Sequence, residues 1–145
     1  MGKVHIIDCD TYSSYVPDFY GLEEHKKGGQ LIWDPSKIRL HLSDNQRDGK
    51  AIQGHKLREE LANQFVLNIN VMDYLLAHPE LIPEEWKGQN VHFWGTIYHF
   101  RVLNRIFGDS LYVYSLLFDG KRWRDFNRSL VCDWESHHPA AIFTP

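Results

Sequence analysis

The stretch "SLYVYSLLFDGKRWRDFNRSLV", residues 110–131, decides the fold class. It contains two runs rich in aromatic and β-branched residues, which are the residue types that strands favour. Between the runs lies Asp119-Gly120, which is typical of a two-residue hairpin turn because glycine readily adopts positive φ. A third run of the same kind, "NVHFWGTIYHF", occupies residues 90–100. The three runs predict a C-terminal antiparallel meander.

A two-residue turn at Asp119-Gly120 fixes the register of this hairpin and pairs Phe118 with Lys121. Alternate residues then share one face of the sheet, which places three arginines in a row. Arginine binds phosphates and carboxylates through paired hydrogen bonds, although its aliphatic stem can also simply cover apolar neighbours. The candidate binding residues are these arginines and the aromatic residues between them: Arg122, Trp123, Arg124, Phe126 and Arg128.

The middle of the chain carries a helical pattern. In "GHKLREELANQF", residues 54–65, apolar side chains recur every four residues at Leu57, Leu61 and Phe65, with charged residues between them. This spacing predicts an amphipathic helix whose apolar face includes all three residues.

A second helix is predicted within "NINVMDYLLAHPELIPEEWKG", residues 68–88. Asn70 can cap its first turn, and Pro79 ends it because proline lacks the amide hydrogen that the helix needs. Helices in the middle and strands in the C-terminal half indicate an α+β fold. We expect a single α+β domain over residues 1–145, with the helices packed on one face of the C-terminal antiparallel β-meander.

The N-terminal third gives weaker signals. The apolar run "VHIID", residues 4–8, predicts a short strand, whereas residues 11–29 contain several glycines and are expected to be mostly irregular. In "IRLHL", residues 38–42, apolar and polar residues alternate as in a half-buried strand. A helix beginning at Asp34-Pro35 is the alternative, because these residues suit its cap and first position.

Composition limits the classes of function. The chain has 145 residues, 43% of them hydrophobic, and a net charge of −3, so its overall charge does not favour nucleic acid. It contains no apolar stretch of about 18 residues, and we expect a soluble, cytoplasmic protein with no membrane partner. The two cysteines, Cys9 and Cys132, have no metal-binding spacing and are expected to stay unpaired.

The segment "DWESHH", residues 133–138, is the candidate metal site. In an extended chain, alternate side chains point the same way, which would bring two carboxylates and an imidazole together. Carboxylates and imidazoles are ligands for zinc, manganese and ferrous iron. The predicted ligands are Asp133, Glu135, His137 and His138, and the alternative is an exposed segment without a metal.

The motif "IIDCDT", residues 6–11, resembles the opening motif of the haloacid dehalogenase-like phosphatases. The resemblance implies that Asp8 is a nucleophile and Asp10 an acid or base. It covers few residues, because the rest of the chain lacks that family's later lysine and acidic motifs and its alternating βαβ pattern. The other interpretation is a turn after a strand, in which aspartate is a common residue.

Three longer motifs carry a second resemblance. They are "EEHKKGGQLIWDPSKIRLHLS", "HPELIPEEWKG" and "FWGTIY", at residues 23–43, 78–88 and 93–98. The chain resembles, over residues 21–143, a family of small bacterial proteins that also occurs in mobile-element and candidate-phylum genomes. That family has no established activity, so the resemblance implies a single intracellular domain and leaves the mechanism open.

Together these patterns predict a small non-enzymatic binding protein that engages another protein and needs no cofactor. A role as an accessory protein of a phage or mobile element fits the small size and the acidic charge. Two alternatives remain open. One is a metal-dependent, hydrolase-like enzyme that uses the 133–138 segment, and the other is a local nucleic-acid binder that uses the arginine hairpin. The oligomeric state is left open.

Overall fold

The computed structural model describes residues 3–14, 16–17, 20–102 and 105–145. It is a mixed α/β structure with two α-helices and mostly antiparallel strands. Neither helix is long and apolar enough to cross a membrane within these ranges. The strands are β1 (Ile6–Asp8), β2 (Tyr20–His25), β3 (Gln30–Ile32), β4 (Ile38–His41), β5 (Ile52–Gln53), β6 (Val91–His92), β7 (Thr96–Val102), β8 (Arg105–Phe118), β9 (Trp123–Ser129), β10 (Asp133–Trp134) and β11 (Ala140–Phe143). The helices are α1 (Gly54–Leu61) and α2 (Ile69–Ala77).

The long strand β8 organises a seven-stranded sheet in the order β2-β7-β8-β6-β11-β4, with β9 also paired to β8. The antiparallel succession β7, β8, β9 agrees with the predicted meander. The run at residues 90–100 is not one strand, however. It is interrupted between β6 and β7, where Gly95 lies so close to Asn68 that an added Cβ would be 2.8 Å from the Asn68 Cβ. β6 instead continues the sheet toward β11, which it pairs in parallel.

Both faces of this sheet are covered, and the helices lie on opposite faces. Ile97 packs in one core with Leu57 of α1, whereas its neighbour Tyr98 packs in the other core with Leu75 of α2. Adjacent residues of a strand point to opposite sides, so the two cores are separated by the sheet. The expectation of helices on one face was therefore wrong. The central strands are apolar on both sides, and each side needs its own cover.

The hairpin formed by β8 and β9 has a different register from the predicted one. Phe118 pairs with Trp123 instead of Lys121, and every other pair in the ladder is displaced by the same two residues. A displacement by two leaves each paired side chain on its predicted face, because side chains alternate with a period of two. Lys121 and Arg122 are the exceptions, since both lie in the turn and outside the ladder.

The turn explains this displacement. Its central residues are Gly120 and Lys121, and the positive φ of 95° falls on Gly120, the first central position, where a type II′ turn takes glycine. The Asp119 carboxylate accepts hydrogen bonds from the amides of Lys121 and Arg122, each at 2.9 Å. Because the aspartate side chain caps these amides, the turn is centred one residue later than Asp119-Gly120.

A separate two-stranded ribbon, β1 with β3, packs against α2. The Asn70 side-chain amide donates to the carbonyls of Asp8 and Thr11 at 3.0 and 2.8 Å, which holds the end of β1 to the helix. Asn68, not Asn70, caps α2 by accepting from the amide of Asn70 at 3.1 Å. The predicted cap was therefore wrong by two residues, because the side chain of Asn70 is used in a tertiary contact.

Two other N-terminal segments refine the predictions. Residues 11–29 were expected to be mostly irregular, but β2 lies within them and pairs with β7. Its side chains are half-buried or exposed on both faces, so its sequence shows no alternation. Both interpretations of residues 34–42 hold in part. Asp34 caps a single 3-10 turn at Pro35–Lys37, and β4 follows directly.

Candidate binding site

The tip of the hairpin presents three of the five predicted binding residues to solvent. Arg122 and Arg124 are exposed, and Phe126 is 60% exposed. Arg124 forms an exposed ion pair with Asp119, with 3.6 Å between Nη1 and Oδ2. We call Arg122, Arg124 and Phe126 the hairpin surface.

The other two predicted binding residues make contacts inside the fold. Trp123 packs edge-on against Phe118, with 5.4 Å between ring centroids, and lies against the core beside α2. Arg128 donates a hydrogen bond to the carbonyl of Asp133, and its guanidinium lies 5.7 Å from the ring centroid of Trp134. Of the three arginines expected in a row on the surface, only Arg122 and Arg124 are therefore exposed.

The four predicted metal ligands do not converge. Asp133, Glu135 and His137 are exposed, whereas His138 is buried. The chain turns here because the amide of His138 donates to the carbonyl of Glu135 at 3.1 Å, so the assumption of an extended segment was wrong. The His138 Nδ1 is also occupied, since it accepts from the amide of Glu135 at 3.0 Å. Among the described residues, no three histidine, cysteine, aspartate or glutamate side chains are grouped to hold a metal.

His138 belongs to a buried aromatic cluster instead. Its ring lies 5.7 Å from that of His92, and both rings contact Trp134. Burial lowers the pKa of His138 to about 4, and the nearby charges of His137 and Arg128 act in the same direction. Burial likewise holds the pKa of His92 well below its ordinary value. Both imidazoles are therefore neutral at pH 7, as a buried ring requires.

Asp8 and Asp10 form a turn. The Asp8 carboxylate accepts from the amides of Asp10 and Thr11 at 2.9 and 3.4 Å, and the first of these bonds is the main cause that lowers the Asp8 pKa. The Asp10 carboxylate accepts from the amide of Gly29 at 2.8 Å. These contacts fit the interpretation of a turn after a strand.

A concave site lies between β3 and the segment 64–68. It is a cleft of about 420 Å³, within the range of about 300–1,000 Å³ typical of ligand sites. We call it the β3 cleft. It is lined by Cys9, Lys26, Lys27, Gly28, Gln30, Leu31, Ile32, Asp34, Lys37, Gln64, Phe65, Val66, Leu67, Asn68 and Phe143.

Hydrogen bonds fix the two walls of the β3 cleft relative to each other. The Asn68 side-chain amide donates to the carbonyls of Cys9 and Lys26 at 2.9 and 3.0 Å, which joins the 64–68 segment to the N-terminal wall. The amide of Leu67 donates to the carbonyl of Ala141 at 3.0 Å, which joins the same segment to β11. The cleft is therefore formed by the fold itself and does not depend on surface side chains alone.

The rim of the β3 cleft is positively charged, although the protein as a whole is acidic. Three lysines line the cleft: Lys26, Lys27 and Lys37. Among the described residues, Asp34 is the one acidic residue in the lining, and its carboxylate already accepts from the amide and hydroxyl of Ser36. The Cys9 thiol adds no negative charge, because burial raises its pKa to about 11. The lining thus has an excess of two positive charges, which favours an anionic group.

An exposed apolar strip adjoins the cleft. Ile32 and Phe65 line the cleft and are 59% and 70% exposed. Across the β1–β3 ribbon, Ile6 pairs with Ile32 and is 55% exposed, and Val4 follows at 62%. Single exposed apolar side chains are common, but a neighbouring set beside a cleft indicates a contact surface.

Comparison with known proteins gives no relative. No protein-family model, no curated protein and no solved structure matches the chain. The function must therefore be argued from the geometry of the chain itself.

Sequence reasoning missed the β3 cleft. Phe65 was assigned to the apolar face of a helix, but α1 ends at Leu61 and leaves Phe65 on the surface. The cleft is assembled from segments far apart in the sequence, so no local motif marks it. The one local signal is the pair Lys26-Lys27 before two glycines, which lies in the segment expected to be mostly irregular.

Proposed function

We propose that this protein is a binding module that holds a segment of a partner protein in the β3 cleft. The observation that carries the proposal is the combination, at one place, of a preformed cleft, an excess of positive charge and exposed apolar side chains. Interfaces commonly place apolar anchors in a pocket and charged groups at the rim. Phe65 and Ile32 provide the anchors, and the lysines provide the rim.

The chemistry of the lining supports binding more than catalysis. Its thiol, Cys9, is buried and protonated at neutral pH, so it is a poor nucleophile. Its carboxylate, Asp34, is engaged in capping a turn. No histidine lines the cleft within the described part of the chain. The groups that remain are ammonium ions, side-chain amides, apolar side chains and backbone, which bind but do not transfer protons at pH 7.

The hairpin surface is a second candidate for the contact with a partner. Phe126 is the observation in its favour, because a 60% exposed phenylalanine lies within β9, in the regular ladder with β8. It is weaker than the β3 cleft in one respect, since Phe126 projects from β9 into solvent and lines neither the β3 cleft nor a second concavity bordered by residues 45–60. It therefore provides a matched control for the cleft.

The experiment is a capture from the lysate of the native cells with three versions of the protein, each treated with nuclease. They are the wild type, a cleft variant (Ile32→Ser with Phe65→Ser) and a hairpin variant (Arg124→Ser with Phe126→Ser). All four substituted side chains are exposed, so we expect each variant to fold. The proposal expects one protein retained by the wild type and the hairpin variant but lost from the cleft variant. Retention by the cleft variant and loss from the hairpin variant would contradict it.

A further inference from the structure

We infer that the partner segment is an acidic, extended peptide that joins β3 as an additional strand. This inference rests on the proposed function and specifies how the cleft is used. Strand addition to an exposed sheet edge is a recurring mode of peptide recognition, in which main-chain hydrogen bonds give affinity and side-chain pockets give specificity.

The backbone of β3 has one edge without a strand partner. β3 pairs only with β1 in the part of the chain that the structure describes. The amide of Trp33 donates to the carbonyl of His5 at 2.8 Å, so this pair is hydrogen-bonded. Bonded and non-bonded pairs alternate in an antiparallel ladder. The amides and carbonyls of Gln30 and Ile32 therefore point away from β1, toward the free edge.

That edge borders the β3 cleft, because Gln30 and Ile32 are both part of its lining. The opposite edge of the ribbon is not equivalent. There the carbonyl of Asp8, at the end of β1, already accepts from the side chain of Asn70 in α2. A peptide in the cleft can thus bond to the outward backbone groups of β3, whereas this end of β1 is already engaged by α2.

The side chains around the edge define the class of peptide. Residues of an added strand alternate between the two faces of the ribbon. One face is the exposed apolar strip at Ile6 and Ile32, and it favours apolar residues at every second position. Lys27 and Lys37 are exposed at the cleft and favour glutamate or aspartate at the others. An uncovered edge with an apolar strip is also a site at which chains associate, and lysines are a common protection against this.

The test begins with a displayed library of random seven-residue peptides selected on the immobilised full-length protein. The most enriched sequence is then synthesised and its binding is measured by fluorescence anisotropy. We expect enriched sequences in which acidic and apolar residues alternate. A library enriched in basic or helical sequences would overturn the inference.

One substitution tests the backbone contact. Ile32→Pro removes an outward amide without removing a bond to β1, and proline is tolerated at such an edge position. Ile32→Ala removes the same side chain but keeps the amide. We expect Ile32→Pro to weaken binding at least about tenfold more than Ile32→Ala does. Equal affinities for the two variants would overturn strand addition, whereas loss of binding in the Phe65→Ser variant would still support the proposed use of the cleft.

A charge-matched pair tests the acidic preference. Lys27→Glu with Lys37→Glu reverses two charges at the cleft, and Lys50→Glu with Lys121→Glu reverses two exposed charges outside it. Lys26 is kept, because its Nζ donates to the carbonyl of Ala62 at the end of α1. We expect the first double variant to bind the selected peptide at least about tenfold more weakly than the wild type. The second double variant should bind it less than about twofold more weakly. Equal losses would overturn the assignment of the acidic positions to the cleft. If the library yields no binder but the cleft variant still fails to retain the lysate partner, strand addition is wrong and the proposed function stands. If the library yields no binder and the cleft variant retains the partner, strand addition and the proposed function are both wrong.

Discussion

Ile6 and Ile32 face each other across the β1–β3 ribbon, and both side chains are more than half exposed. Their neighbours Ile7 and Leu31 form the next pair along the ribbon and are buried at 3% and 8% exposure. The ribbon is therefore apolar on both faces although only one face meets the core. Apolar residues on the outer face contribute little to the free energy of folding, so this face is available for another contact.

Alanine substitution should separate the two faces. Ile7→Ala removes buried methyl groups and should lower the free energy of unfolding by about 2–5 kcal/mol. Ile6→Ala removes the same groups from a 55% exposed position and should change it by less than about 1 kcal/mol. Urea denaturation of both variants measures this difference. A loss in Ile6→Ala as large as that in Ile7→Ala would mean that the outer face is covered in the free protein.

Gly95 should be essential for the wall of the β3 cleft. An added Cβ would lie 2.8–2.9 Å from the Cβ, Cα and amide nitrogen of Asn68, and two of these atoms are backbone atoms that cannot rotate away. Gly95→Ala should therefore lower the free energy of unfolding by about 1–3 kcal/mol, as overpacking does. It should also weaken peptide binding, because Asn68 joins the two walls. An unchanged urea midpoint would contradict this close approach.

The carboxylate of Asp119 should determine the hairpin register. It accepts from two amides of the turn, and its loss leaves both without a partner in the protein. Asp119→Ala should lower the free energy of unfolding by about 0.5–2 kcal/mol, which is comparable to the loss of a helix cap. Arg124→Ala removes the exposed ion pair with the same residue and should cost less than about 1 kcal/mol. Equal costs in urea denaturation would show that the ion pair, and not the capped turn, holds the hairpin.

The hairpin also shows how far the sequence predicts the fold. The aromatic and β-branched runs correctly indicate β8 and β9, because strand composition is a local property. The register depends on whether Asp119 or Gly120 is the first central residue of the turn. The Asp119 carboxylate decides this, because it caps two amides of the turn. The placement of α1 and α2 on opposite faces was not predicted. The sequence of a strand that is apolar on both faces does not indicate which helix packs on which face.

The candidate site was harder to predict than the fold. Arg122, Arg124 and Phe126 are exposed as expected, but Arg128 turns toward Trp134, a contact between residues of different strands. The β3 cleft unites Cys9 with residues from the segments 26–37, 64–68 and 143, which no periodic pattern connects. Phe65 illustrates the reason, because its spacing fits a helix that ends four residues before it.

Acid should destabilise the protein through its buried histidines. Well above pH 6.5 His138 is neutral in both the folded and the unfolded chain and has no effect on the pH dependence. As the pH falls from 6.5 toward the folded pKa of about 4, the unfolded chain binds a proton that the folded chain does not, so stability decreases. The difference between the two pKa values corresponds to about 3 kcal/mol. His92, whose pKa is also lowered, acts in the same direction.

The measurement is the free energy of unfolding in urea at several pH values from 7.5 to 4.5, for the wild type and for His138→Gln. The wild type should lose stability steadily over this range, and the variant should show a shallower dependence because one of the two imidazoles that contact Trp134 is absent. Parallel curves for the two proteins would contradict the assignment to His138.

The most direct test of the account is amide hydrogen exchange, followed by NMR, with and without the selected acidic peptide. In the free protein the amides of Gln30 and Ile32 should exchange quickly, while those of Leu31 and Trp33, which bond to β1, should exchange slowly. On addition of the peptide, Gln30 and Ile32 should become protected, and the hairpin surface should not change. Slow exchange of Gln30 and Ile32 in the free protein, or protection only at residues 122–126, would contradict the claim that β3 receives the partner.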